Sequence, residues 1–295
     1  MTKKVDARYT FRPMNKPRGI VQATGSAERR TIRSRLKFPL AILGHFGYLF
    51  SLTTIIIMSV ALLPLLPFPR IRRAVAGRFL RGFLGLFALY YLPAVQACKI
   101  VECSGLDHLK GGGPAIIVAN HRSSIDAILL LALLPPTGLI IKARHVRKPA
   151  YACLVRFFDF VSTEAGTPSA IRRSLDKCRE LLASGMNLLI FPEGMRASSS
   201  RLMPFADLAF RVAIEQGVPI VPVVIHSDRP FLNRQPGSYF PPETVQFRIR
   251  VLSPIPTQTE RNPHRLSDTV SRQMASVLAD WDRQYLKCNP GRSQP

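Results

Sequence analysis

The sequence predicts an α/β domain preceded by a membrane-associated helical segment. Three observations predict it. Residues 38–69 contain no Asp, Glu, Lys or Arg. From Cys98 onward, short apolar runs rich in β-branched residues alternate with stretches of helical period. The two densest polar clusters each follow one of those runs directly, at Asn120 and at Pro192.

The chain has 295 residues, of which 47% are hydrophobic, enough for one sizeable domain with an appendage. Lys and Arg number 41 against 18 Asp and Glu, a formal charge of +23. Such an excess implies an anionic partner, either nucleic acid or an anionic membrane surface. The apolar run directly follows a basic segment, the pattern of a membrane protein with cationic flanks. No zinc-finger spacing or aromatic-rich RNA-binding signature accompanies the charge, so membrane lipids are the expected partner and nucleic acid is not.

Residues 1–37 are polar and basic, with Lys3, Lys4, Arg29, Arg30, Arg33, Arg35 and Lys37, and read as a disordered tail. Residues 38–97 form the membrane-embedded or interfacial region. About 20 apolar residues cross a bilayer core, and Phe38 to Pro69 is long enough. It lies too far from the start to be the apolar region of a cleaved signal. Arginines at 70, 72, 73, 78 and 81 make both flanks positive, which leaves orientation open. Pro64 and Pro67 disturb the helix near its end, so a re-entrant hairpin fits as well as a span. The second apolar stretch, Phe83 to Leu92, is too short to cross; it is expected at the interface or packed on the first helix.

Residues 98–288 form the α/β domain, and 289–295 a disordered tail. Strands are expected at Ala115–Val118, Leu139–Ile141, Asn187–Phe191, Ile220–Ile225 and Val245–Val251. Helices are expected at Ser169–Leu182, ending near Gly185, and at Phe205–Glu215. Such alternation predicts a sheet with helices on its faces. Residues 227–244, rich in Pro, Gly and Asn, read as a loop. Leu266, Val270, Val277, Trp281 and Tyr285 recur at helical spacing and are assigned to core packing. The five cysteines are scattered, odd in number and without a C-x-x-C pair, which argues for a reducing compartment and against a disulfide framework or zinc site. Cys103 and Cys153 are nucleophile candidates in principle; a buried thiol is the commoner fate.

The first polar cluster is Asn120-His121-Arg122-Ser123-Ser124-Ile125-Asp126, where the chain leaves a strand and enters a helix. Strand ends in α/β sheets are where ligands usually bind. A neutral imidazole accepts a proton from a hydroxyl, and a carboxylate on its other nitrogen fixes tautomer and orientation. His121 is thus a candidate base and Asp126 its orienter, with an acceptor's hydroxyl as nucleophile. The alternative is helix capping by Asn120 or Ser123, with Asp126 favourably placed in the first turn. The second cluster is Phe191-Pro192-Glu193-Gly194-Met195-Arg196. Gly194 permits an unusual backbone, and its amide can face a developing oxyanion. Arg196 offers a planar fork for phosphate, and Glu193 can hold Arg196 or an acceptor hydroxyl. The alternative is a surface Pro-Glu-Gly turn. Lys142 and Arg144 are candidates for attracting an anionic head group or carrier phosphate, set against a solvated basic loop. His45, His108, His145, His226 and His264 have no acid at useful spacing and are read as structural or exposed.

In these residues the sequence resembles the glycerolipid (lysophosphatidic acid-type) acyltransferase family. Its first motif, a His, four residues and an Asp, matches His121 to Asp126; its third, Phe-Pro-Glu-Gly-Thr-Arg-like, matches Phe191 to Arg196; its fourth, Val-Pro-Ile-Val-Pro-Val-like, matches Val218 to Val223. The resemblance runs over roughly residues 98 to 255. It implies a helix-flanked mixed sheet and an O-acyltransferase that works without metal or bound cofactor. The implied reaction moves an acyl group from acyl-coenzyme A or acyl carrier protein to a lysophospholipid such as lysophosphatidic acid. It implies His121 as base with Asp126 as partner, Glu193 and Arg196 at a glycerol phosphate-like acceptor, and Pro222 shaping a pocket. The catalytic domain is expected on the cytoplasmic face. The chain departs from the family pattern in three places. Met195 stands where Thr or Ser is usual, Thr163-Glu164 where the second motif commonly ends in Arg, and Ala206-Asp207 where Lys-Gly often follows Pro-Phe. Another hydroxylated lipid acceptor, and a non-catalytic membrane scaffold, are the rival readings.

Overall fold

The computed structural model describes residues 25–163, 167–197, 201–233, 235, 238–239 and 243–288. The chain divides into two units, 1–38 and 39–295. Of the first, residues 1–24 of the expected basic tail lie outside the described residues; from Gly25 onward its backbone is helical. That backbone is the first part of helix α1, Gly25–Ala61. The expected tail at 289–295 also lies outside the described residues.

Helix α2, Pro69–Leu86, continues through a π-helical turn, Phe87–Tyr91, into a short helix α3, Leu92–Ala94. Phe83–Leu92 is therefore not a separate short stretch but the end of one helical run. Ile42–Ala61 and Pro69–Ala94 are both long and apolar enough to cross a membrane, with mean hydropathies of 1.6 and 1.2. They differ in what they face. Ile42, Phe46, Leu49, Phe50, Ile57 and Val60 of α1 are exposed. In α2 the side chains of Arg72, Ala76, Leu80 and Leu84 are buried, followed by Phe87, Ala88 and Leu92. Arg72 donates to the Phe157 carbonyl at 2.5 Å and faces Asp159 at 3.5 Å, and Arg73 pairs with Asp159 and Glu180. At the other end the Tyr91 hydroxyl donates to the Leu43 carbonyl at 2.5 Å, and its ring fills the space left by the missing side chain of Gly47.

The α/β domain follows as β1 Cys98–Ser104, β2 Ile116–Ala119, α4 Asp126–Leu133, β3 Thr137–Lys142, α5 Ala143–Val146, α6 Pro149–Phe157, β4 Val161–Thr163, α7 Pro168–Ala183, β5 Asn187–Ile190, α8 Leu208–Gln216, β6 Ile220–Ser227, β7 Val245–Val251 and α9 Pro263–Cys288. Among the described residues, seven strands form one mixed sheet in the order β1-β7-β6-β2-β5-β3-β4. The five strands from β6 to β4 are parallel; β7 is antiparallel to β6 and parallel to β1. β2, β5 and β6 are buried along their whole length, as expected for apolar runs covered on both faces. β7 alternates buried Val245, Phe247, Ile249 and Val251 with more exposed Gln246, Arg248 and Arg250, the signature of one packed face.

Two apolar layers sandwich the sheet. On one face Leu129 and Leu130 of α4 pack with Leu80, Leu84 and Leu92 of the α2–α3 run and with Val221, Val223 and Ile225 of β6. On the other, α7, α8 and α9 cover Ile220 and Val224 of the same strand. Thr167 caps α7, its Oγ1 accepting from the Ala170 amide at 3.3 Å, with Pro168 at the first helical position. The central parallel strands bring the ends of β6, β2, β5 and β3 to one edge, where both polar clusters emerge.

Candidate active site

The two clusters meet because β2 and β5 are neighbours. The Glu193 carboxylate accepts the main-chain N–H of His121 at 2.7 Å and that of Met203 at 3.0 Å. The Ala197 amide donates to the His121 carbonyl at 2.8 Å, and the Phe191 ring stacks on the imidazole at 4.3 Å between centroids. His121 Nδ1 lies 3.0 Å from Asp126 Oδ2. That same oxygen accepts the amides of Arg122 and Ser123 at 2.7 Å each. Three donors thus converge on one oxygen of a fully buried carboxyl and fix it facing the ring. With Nδ1–H donating, the lone pair sits on Nε2, which has no protein partner among the described residues; the side chain is 21% exposed.

Asn120 does not cap α4. Its carboxamide donates to the Ile225 carbonyl and accepts the Ile225 amide, both at 2.8 Å, so it acts as one more rung between β2 and β6. α4 begins at Asp126 without a side-chain cap, and Ser123 Oγ only receives the Ile125 amide at 3.3 Å.

Glu193 is buried, and each of its oxygens is engaged by a loop amide, so it braces the two clusters. Burial raises its carboxyl pKa, which the two amides partly offset. Gly194 has φ +64°, and its N–H closes a turn on the Phe191 carbonyl at 3.0 Å. Pro222 lies within β6 opposite Val118. Because strand side chains alternate, it shares the face of Ile220 and Val224, toward α8 and α9, and not that of α4.

Lys142, at the end of β3, joins the site: its Nζ is 3.4 Å from where a Cβ on Gly194 would stand. Arg196 donates through one Nη to the Leu232 carbonyl at 2.9 Å and also pairs with Ser124 Oγ. Leu232 has φ +47°, and its carbonyl additionally receives the Ser124 amide at 3.1 Å. The loop after β6 therefore holds the arginine in place. The sequence carried no signal for this, since the contact is to a main-chain carbonyl.

Two of the histidines have acids that local spacing conceals. His226 Nε2 lies 3.0 Å from Asp282 of α9, both buried, and exposed His264 faces Asp207 at 3.2 Å. The Arg122 guanidinium has Asp282 as its leading charge partner, ahead of Asp126 and Glu193, while burial lowers its pKa. Cys98, Cys103, Cys153 and Cys178 are free thiols. Burial pushes Cys103 up to about 11 and Cys98 to about 12, which removes them as thiolate nucleophiles.

Comparison with known proteins agrees with this arrangement. A family model described as Acyltransferase matches residues 100–226, which include both clusters. The chain is similar to 1-acyl-sn-glycerol-3-phosphate acyltransferase alpha of Homo sapiens, at 29% identity over 70% of this chain and 74% of that protein. A 1-acyl-sn-glycerol-3-phosphate acyltransferase of Cocos nucifera is 30% identical over 60% of this chain and 56% of its own. The crystal structure of the 1-acyl-sn-glycerophosphate (LPA) acyltransferase PlsC of Thermotoga maritima shares the fold, with a TM-score of 0.64 over 85% of this chain and 97% of that one, at 18% identity. Motifs and relatives converge on one conclusion: residues 100–226 carry an Acyltransferase match, the chain is similar to 1-acyl-sn-glycerol-3-phosphate acyltransferases, and it is an acyltransferase.

Proposed function

We propose that the protein transfers a fatty acyl group from acyl-coenzyme A or acyl carrier protein to the hydroxyl of a lysophospholipid such as lysophosphatidic acid. The observation that carries this reading is the oriented imidazole: Nδ1 is engaged by Asp126, and Nε2 is left for an outside hydroxyl. His121 Nε2 takes the hydroxyl proton as the oxygen attacks the thioester carbonyl. The carbon–sulfur bond then breaks, and the proton passes to the departing thiolate. Asp126 stabilises the transient imidazolium. Lys142, next to Gly194, and Arg196, held by Ser124 and Leu232, provide positive charge for the acceptor's phosphate. Glu193 positions His121 through its amide.

The helix pair supports association with a membrane in one leaflet. The α2–α3 run is held against the α/β domain at Arg72 and again at Leu92, while α1 exposes its apolar side chains. A helical run pinned along the α/β domain at both ends is poorly placed to cross a bilayer, and this supports the re-entrant reading; the cytoplasmic face remains the expected side for the catalytic domain.

A second reading keeps the chemistry and changes the acceptor to another hydroxylated lipid. It is favoured by Thr163, which ends β4 with its hydroxyl on the Ile141 carbonyl at 3.2 Å, where the family commonly has Arg. One experiment tests both: purified protein is given acyl-coenzyme A or acyl carrier protein with a panel of lyso-lipids, and products are read by mass spectrometry. Transfer to lysophosphatidic acid supports the first reading. Transfer only to a lipid without a phosphate monoester supports the second, and no acyl ester with any acceptor removes both.

A further inference from the structure

From Asp126 to Asp159 the chain contains no other acid, yet it carries Lys142, Arg144, His145, Arg147, Lys148 and Arg156. The fold gathers all but the last of these into one turn. β3 ends at Lys142, α5 covers Ala143–Val146, and α6 starts at Pro149, so the cations stand at the strand ends that carry His121 and Phe191. Arg144, Arg147 and Lys148 are exposed. Among the described residues none of these three has an acidic partner, whereas Arg179 bridges Asp176 and Glu215, and Arg229 bridges Asp228 and Glu243. His145, packed against Tyr151 at 5.5 Å, registers the resulting field. Burial first, then Arg144, Lys148, Arg196 and Lys142, lower its pKa. Like charges massed in one turn repel each other and focus a positive potential that a multiply charged anion relieves.

We propose that Arg144, Arg147 and Lys148 form the docking surface for the phosphates of an acyl-coenzyme A donor. The inference rests on the thioester-transfer reading above and names which donor this turn receives. Coenzyme A concentrates its phosphates at one end of a long arm and its thioester at the other, so phosphates held on an exposed turn leave the thioester free to reach His121. The turn itself offers little for lipid insertion, because Val146 is half-buried and most of the large exposed apolar side chains lie on α1 and α2.

The test is Arg144→Ala/Arg147→Ala/Lys148→Ala assayed beside the unaltered chain in neutral detergent micelles. Each is given a long-chain acyl-coenzyme A, its 3′-dephospho analogue, and the same acyl group on acyl carrier protein. The expected result is a KM for acyl-coenzyme A raised about tenfold, from three partly screened ion pairs. The acceptor KM should stay unchanged and kcat nearly so. The unaltered chain should prefer the intact donor over the dephospho analogue and lose that preference at high salt, and the variant should discriminate little. An unchanged donor KM overturns the proposal. So does a defect confined to acyl carrier protein, which would mark a protein-docking face, or one confined to binding of anionic vesicles, which would mark a membrane patch. No transfer by the unaltered chain from any thioester sinks the transfer reading itself, an outcome distinct from all the others.

Discussion

Glu193 and His121 are tied by a single charge-assisted hydrogen bond, from the histidine's own amide to the carboxylate at 2.7 Å, and the other carboxylate oxygen takes the Met203 amide at 3.0 Å. The glutamate thus sets where the imidazole is hung. Glu193→Gln keeps the size but places an NH2 donor against one of those two amides. Losing such a bond costs roughly 1.5–3 kcal/mol, so kcat should fall roughly ten- to hundredfold if the whole cost falls on the geometry of His121. Steady-state kinetics with thermal melting checks this, and an unchanged kcat would show that the brace has no catalytic weight. The pH dependence has a definite sign. Burial raises this carboxyl's pKa in the fold, so the folded state binds the proton more tightly than the unfolded one. Stability contributed by that proton is present at low pH and is lost as pH rises through the folded value. Unfolding of Glu193→Gln across the acid range should lack that slope.

His121→Ala should reduce acyl transfer by about a hundred- to ten-thousandfold, the usual range for a positioned base, without releasing the protein from membranes. Asp126→Asn is more informative. An asparagine oxygen can still receive the amides of Arg122 and Ser123, as Asp126 does now at 2.7 Å each. The loop should hold while the charge that stabilises the imidazolium is lost. Its expected signature is a fall in kcat with a melting temperature close to that of the unaltered chain. A large loss of stability with intact specific activity would instead make Asp126 a loop anchor only.

Gly194→Ala probes the second cluster. At φ +64° an L-residue is strained by roughly 1–2 kcal/mol. Its new methyl would also stand in van der Waals contact with Lys142, 3.4 Å from Nζ and 3.5 Å from Cε, and so cover part of the ammonium's surface. If Lys142 serves the acceptor's phosphate, KM for a phosphorylated acceptor should rise by more than kcat falls. Equal KM values for the two proteins would place Lys142 outside the acceptor site.

The core strands and both clusters were legible in the sequence for physical reasons. β2, β5 and β6 are covered on both faces, so their residues form unbroken apolar runs, and the polar residues that end them are short-range neighbours. β1 was not legible. It is an edge strand with an irregularity between Ile100 and Glu102, and Lys99 and Glu102 interrupt its apolar pattern. β4 has only three residues, too few to show a period. The α2–α3 helical run was cut short because its first turns carry arginines, read as a flank; Arg72 and Arg73 are in fact satisfied by Asp159 and Glu180. The main-chain bonds of Gly194 and Glu193 were not legible, because a motif shows which residues matter but not which atoms the main chain engages.

The Asp282–His226 pair is the sharpest case of chemistry hidden by distance, with partners 56 residues apart. α9 was read as core packing, and Leu266, Val270, Met274, Leu278 and Trp281 do pack there. Asp282, the next residue after Trp281, adds a buried carboxylate facing His226 and serving as the leading charge partner of Arg122. Removing one member of a buried charged group leaves the others uncompensated, at about 3–5 kcal/mol. Asp282→Ala should therefore lower the melting temperature markedly. Asp282→Asn should lower it less, because the carboxamide oxygen still accepts from His226 Nε2. Since Asn120 couples to Ile225, the residue before His226, through two bonds of 2.8 Å, loosening β6 at this point should also reach His121. The resulting expectation is a loss of activity in Asp282→Ala that exceeds the fraction unfolded at the assay temperature. Melting curves of Asp282→Ala and the unaltered chain that superimpose would show that α9 bears on the site through packing alone.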